Sequence, residues 1–199
     1  MMNFRARVLN VLGKGKASRT QPTETRAISP KDEKISFDEI LCVVETSHAQ
    51  VFIGDLFRRR FNVDDFPDFP RHFVAFYRVD AYTFAPVGYV HHTPWEGCTL
   101  CGGLVIDERF YRQIPAQHRK VIREAGGIAE QLQRKSFEIV KPNAKVIWGY
   151  VGDDLARRVD LRVGFEPTED AHIMAVWLQP LTDEEKNELF EKVKALGPF

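Results

Sequence analysis

The sequence predicts an α/β fold, a mixed central sheet with helices on both faces. Three observations predict it. Strand patterns linked as hairpins come first, between residues 72 and 106. Strand and helix patterns then alternate as far as residue 196, and such alternation lays helices on the faces of a sheet. Hydrophobic residues make up 44% of the 199 and charged residues 28%, a globular balance rather than a disordered or membrane-spanning one. The length suits one domain able to bury a core.

Residues 1–34 contain few large hydrophobes and read as a flexible tail with at most a short helix near residues 4–12. No acid precedes Glu24, whereas Arg5, Arg7, Lys14, Lys16 and Arg19 are basic. A solvated basic tail accounts for this, and a transit peptide shares the composition. The apolar run at residues 8–12 is too short for a secretory signal. With 28 basic and 28 acidic residues, no global pull toward nucleic acid is expected. Three cysteines, Cys42, Cys98 and Cys101, point to a reducing cytoplasm rather than a disulfide framework.

The ordered domain is expected to span residues 35–199. Ser36 and Glu39 have capping-box spacing, and a helix is predicted from there through Ile40, Leu41 and Val44 into residues 51–57. Arg58, Arg59 and Arg60 then suit its C-terminus. Residues 72–79 and 87–92 alternate as strands, joined by a loop longer than two residues. A third strand covers residues 98–106, where Gly102-Gly103 marks a bulge or a close backbone approach. Pro115 opens a helical region to Val140, interrupted at Gly126-Gly127. Residues 144–151 form a buried-type strand. Asp153 or Asp154 caps a helix that Gly164 ends. A strand at residues 171–178 precedes a C-terminal helix, 182–196, opened by a second capping box at Thr182 and Glu185.

Two motifs then resemble the GNAT family of acyl-CoA N-acyltransferases. Asp153, Ala156, Asp160, Gly164 and Phe165 match the family spacing Asn-x-x-Ala-x-x-x-Tyr-x-x-x-Gly-Phe, with Asp160 where the catalytic tyrosine usually stands. Gly127, Ile128 and Ala129, preceded by Arg123 and Gly126, resemble the second half of the family's Arg/Gln-x-x-Gly-x-Gly/Ala pyrophosphate loop, with Glu124 at its first position. The family's first strand, ahead of the first helix, is not evident. A long insertion separates Ile106 from Gly127, and its Arg109, Arg112, His118, Arg119 and Lys120 offer an alternative phosphate cradle.

The resemblance implies a mostly antiparallel sheet and acyl transfer from acetyl-CoA, or another acyl-CoA, to a small-molecule or protein amine. It places the thioester where the strands holding Leu104, Val105, Ile106 and Val146–Tyr150 diverge. It places the pyrophosphate near Arg123, Gly126, Gly127, Ile128 and Ala129. Acceptor specificity is expected from the first helices and residues 82–86. Glu108, just past the third strand, is the candidate base. Asp160 replaces the proton donor, and Tyr150 or Tyr111 could serve instead. A second reading keeps the fold without catalysis, as a binding or structural module using residues 57–69 or the C-terminal helix. Self-association into a homodimer stays open, and no membrane or specific nucleic-acid partner is expected. His91, His92, Cys98 and Cys101 have the composition of a zinc site. Two cysteines three apart on one strand face opposite ways, so no metal is expected. The three tryptophans and 15 phenylalanines read as core rather than as a stacking surface.

Overall fold

The computed structural model describes residues 35–68 and 70–199. The expected basic tail and its short helix lie outside the described residues. The chain forms α1 (Phe37–Ile40), β1 (Leu41–Glu45), α2 (Ala49–Phe61), β2 (Arg71–Arg78), β3 (Phe84–Trp95), β4 (Cys98–Ile106), α3 (Glu108–Gln113), α4 (Ala116–Glu124), α5 (Ile128–Val140), β5 (Val146–Tyr150), α6 (Asp154–Val163), β6 (Glu166–Pro167), β7 (Ile173–Trp177) and α7 (Asp183–Leu196). The seven strands make one sheet in the order β1-β2-β3-β4-β5-β7-β6. Each neighbouring pair is antiparallel except β4 and β5. This is the mixed, mostly antiparallel sheet expected.

The first helix is corrected. The capping box at Ser36 is real, since Glu39 accepts a 2.6 Å hydrogen bond from the Ser36 N–H. It opens a single turn. Leu41 then leaves the helix at φ −141° and ψ 135°, and β1 pairs with β2 from Leu41–Tyr77 to Glu45–Phe73. Adjacent Val43 and Val44 favour the strand, and a full ladder with β2 outweighs the local helix signal. A strand therefore precedes the main helix, the element the sequence left hidden.

The remaining pattern held with shifted ends. The β2–β3 loop is longer than two residues, and β3 extends well beyond residues 87–92. The break at Gly126-Gly127 separates α4 from α5, while α3 was not foreseen. Thr182 accepts from the Glu185 N–H at 3.2 Å, and Glu185 accepts from the Thr182 N–H at 2.8 Å, completing the predicted box.

The core lies on both faces of the sheet. On one, Phe73, Val90, Cys101, Ile147 and Met174 pack with Ile122, Leu132, Phe137 and Val163 from α4, α5 and α6. On the other, Val74, Tyr89 and Val105 meet Ile53 and Phe57 of α2. Cys98, Leu100 and Trp148 meet Phe190 and Val193 of α7 on that side. Cys98 and Cys101 thus enter different cores, as their spacing required. No group that could hold a metal ion occurs among the described residues, and no described helix is long and apolar enough to cross a membrane.

Candidate active site

The site begins with a defect in β4. Tyr89 pairs with Val105 and His91 with Gly102, so Val90 opposes two residues, Gly103 and Leu104. This is the bulge that the paired glycines predicted. It also resets the alternation. Cys101, Leu104 and Ile106 all reach the α5 side, which an unbroken strand could not arrange for residues three apart.

The glycines are needed because His91 occupies the space beneath them. A Cβ on Gly102 would lie 2.9 Å from His91 Nε2, and one on Gly103 2.5 Å from His91 Nδ1. Gly103 also has φ +65°. Tyr89 Oη lies 3.3 Å from His91 Nδ1 and 2.7 Å from His72 Nδ1, tying the ring into the core. Burial pushes His91 down to about 4, so the ring is neutral at physiological pH.

Beyond the bulge β4 and β5 part. They pair at Thr99–Ile147, Leu100–Trp148 and Cys101–Gly149 and no further, and residues 102–106 continue without a partner on that edge. Phe165 holds β5 in place. Its ring fills the space against Gly149, where a Cβ would lie 2.9 Å from Cε1, and it meets Phe137 edge-on at 5.6 Å. Gly164, left-handed at φ 104°, turns the chain so that Phe165 can do this.

The gap between the strands opens into two adjoining cavities of about 460 and 470 Å³. Both touch Arg60, Leu104, Asp153 and Ala156, so they form one cleft. Asp153 sits at its edge and caps α6, accepting from the Leu155 and Ala156 N–H groups at 2.9 and 2.8 Å.

Leu104, Val105, Ile106, Glu108 and Ala129 line the outer cavity. Tyr150 and Asp160 line the inner one. Glu108 therefore stands apart from the other two catalytic candidates. Its side chain is 76% exposed and 3.6 Å from Arg112, one turn along α3. Tyr111 packs against the α5-side core and lines neither cavity.

Asp160 is buried in the inner wall. Its Oδ1 accepts a 2.7 Å hydrogen bond from Gln133 Nε2. Burial raises its pKa, with Asp153 adding to the rise and the Gln133 bond opposing it. The carboxyl is thus easier to protonate than a solvated aspartate, in the place where the family motif has its tyrosine. Gln133 Oε1 is buried without a partner among the described residues.

The residues expected to hold the pyrophosphate are placed unevenly around the cleft. Ala129 reaches the cleft, whereas Arg123, Gly126, Gly127 and Ile128 do not line it. The Gly126 N–H bonds Arg123 O at 3.0 Å and the Gly127 N–H bonds Ile122 O at 2.8 Å. These two donors are spent closing α4. Ile128 is buried in the core. Glu124 does not block the loop either, since it faces solvent 3.9 Å from Lys120. Glu130 holds the space beside Gly126, where a Cβ would lie 2.5 Å from its carboxylate. Arg134 and Arg162 bind Glu130 at 2.9 Å each. Burial alone would raise its pKa, and those two arginines outweigh burial and lower it.

Sequence reasoning missed Gln133, Glu130 and the cleft role of Arg59 and Arg60. The two arginines had been assigned to the end of a helix, which is correct, but that end borders the cleft. Phe199 was missed as well. It lines the inner cavity and meets Tyr150 edge-on at 5.9 Å.

No protein-family model and no curated protein matches the chain. Among solved structures, the ribosomal-protein-S18-alanine N-acetyltransferase of Escherichia coli superposes with a TM-score of 0.47 at 9% identity, over 72% of this chain and 97% of its own. Tetrahymena GCN5 gives 0.45 at 12%, over 68% and 89%. Escherichia coli ElaA gives 0.43 at 14%, over 68% and 96%. Overlaps this shallow carry no functional weight. The chain has the GNAT fold on its own features: the strand order, the single parallel pair that diverges, and the Gly-Phe unit wedged beneath it.

Proposed function

We propose that the chain transfers an acyl group from an acyl-CoA to an amine by direct attack in a ternary complex. One observation carries the reading: β4 and β5 diverge beyond Cys101–Gly149 and open a cleft that runs from residues 104–106 to a buried carboxyl, Asp160. An unpaired strand edge offers backbone N–H groups at fixed positions. Such donors suit the amide-rich arm of the acyl donor and the oxyanion formed when its carbonyl is attacked.

In the reaction a neutral amine nitrogen bonds to the thioester carbon. The C–S bond then breaks, and one proton must travel from nitrogen to sulfur. In this reading Asp160, on the inner cavity wall, carries that proton. Its raised pKa lets it accept a proton from the attacking nitrogen and release it to the departing thiolate. Gln133 fixes the carboxyl through Oδ1 and leaves Oδ2 for the proton. Tyr150 lines the same cavity and completes the acceptor pocket. Glu108, exposed at the mouth, belongs to the rim rather than to the chemistry.

Two features suit the non-catalytic reading instead, an acid in the first turn of α5, Glu130, and a bulky ring on the inner cavity wall, Phe199. The test is release of free thiol from acetyl-CoA, followed with a panel of primary amines. Transfer predicts thiol release that depends on the amine and saturates with it. Binding of acetyl-CoA with no release for any amine supports the module.

A further inference from the structure

We propose that guanidinium groups read the phosphates of the acyl donor: Arg59, Arg60, Arg109 and Arg112 form a polyphosphate site at the mouth of the outer cavity. The inference rests on the acyl-CoA reading above and goes beyond it.

Both glycine amides of the loop are already used. Gly126 and Gly127 give their N–H groups to α4 carbonyls. The positive end of α5 already has an anion, Glu130, clamped by Arg134 and Arg162. Only Ala129 of that loop borders the cleft.

The arginine route is open. Arg59 and Arg60 end α2, and Arg109 and Arg112 lie three apart on α3, so they share a helix face. All four line the outer cavity. Three carboxylates share it, but two of them serve as helix caps. Asp107 Oδ1 accepts from the Arg109 and Phe110 N–H groups at 2.9 and 3.0 Å, and Asp153 caps α6. Arg59 stands 3.7 Å from Asp107 and Arg60 3.5 Å from Asp153. These pairs are too long to saturate the guanidinium forks. Among the described residues Arg109 makes no ion pair. A planar fork with several free donors matches phosphate oxygens, and its charge persists at every relevant pH. The segment that displaces the start of α5 from the end of β4 is the same one that supplies Arg109 and Arg112. The insertion thus brings two cationic side chains to the cavity that Ala129 borders.

The test compares coenzyme A with pantetheine, which lacks the phosphates, by calorimetry on wild type and on R59A/R109A. Both arginines are exposed, and an unchanged melting curve checks the fold. The expected result is a Kd for coenzyme A raised about tenfold, with a shallower salt dependence. The Kd for pantetheine should move less than about twofold. Wild type that binds coenzyme A beside a variant that binds it equally well overturns the arginine site and leaves the acyl-CoA reading standing. Equal weakening of both ligands also overturns it, because the loss is then not one of phosphate recognition. Wild type that binds neither ligand overturns both proposals.

Discussion

Asp160→Asn should lower amine-dependent thiol release by about 10²–10⁴-fold while leaving acetyl-CoA binding intact. Asparagine keeps the size and an oxygen for Gln133 Nε2, but it cannot take up and release a proton. The same change should stabilise the protein at neutral pH. Burial raises the folded pKa of Asp160 above that of a solvated aspartate. Between the unfolded and folded values the native state therefore holds more protons than the unfolded chain. The contribution of this group to stability is fully present below the unfolded value and is lost as pH rises through the folded one. The urea midpoint of the variant should exceed that of wild type at pH 7.5, and the gap should narrow toward pH 4. A residue that costs stability and is needed for turnover is characteristic of a functional site. Turnover within threefold of wild type would remove Asp160 from the chemistry and leave Tyr150 as the remaining candidate on that cavity wall.

Gly103→Ala should cost about 2–4 kcal/mol of stability. The backbone is left-handed at φ +65°, and the new methyl would lie 2.5 Å from His91 Nδ1. Neither neighbour yields easily, because His91 is held through Tyr89 to His72 and Phe57 presses from the α2 side at 3.2 Å. Gly97→Ala separates the two costs. Gly97 has φ +74° with nothing within 4 Å of a Cβ, so only backbone strain of about 1 kcal/mol applies. In a double-mutant cycle, His91→Ala should recover the steric part of the Gly103→Ala loss and none of the strain. A Gly103→Ala loss no larger than that of Gly97→Ala would mean that His91 does not prop the bulge. Urea denaturation of the four variants decides it.

Much of this site was legible in the sequence because the features that build it are local. Gly102-Gly103 announced the bulge. Asp153 announced a cap, and Gly164-Phe165 announced the wedge, each through a backbone demand that few residues meet. The single-turn α1 shows the opposite case. Ser36 and Glu39 are a true helix start, yet nothing nearby says that the helix stops at Ile40. Pairing with β2 decides that, and β2 lies far along the chain. The environment of the expected phosphate loop was hidden for a related reason. Gly127, Ile128 and Ala129 have suitable spacing, but whether an amide faces a cleft depends on what ends the preceding helix and what the insertion displaces. The Asp160–Gln133 contact and the approach of Arg59 and Arg60 to α3 are tertiary, and no periodicity encodes them.

The most direct measurement is the melting temperature titrated with acetyl-CoA, for wild type and for Ala156→Trp. Ala156 borders both cavities, so a tryptophan there should fill the cleft. Linkage predicts about 2.7 kcal/mol of stabilisation at a ligand concentration 100 times Kd. That is a rise of several degrees for a domain of this size. Wild type should show that rise and Ala156→Trp should not. No rise in wild type at millimolar acetyl-CoA, or an equal rise in both proteins, would contradict an acyl-CoA site between β4 and β5.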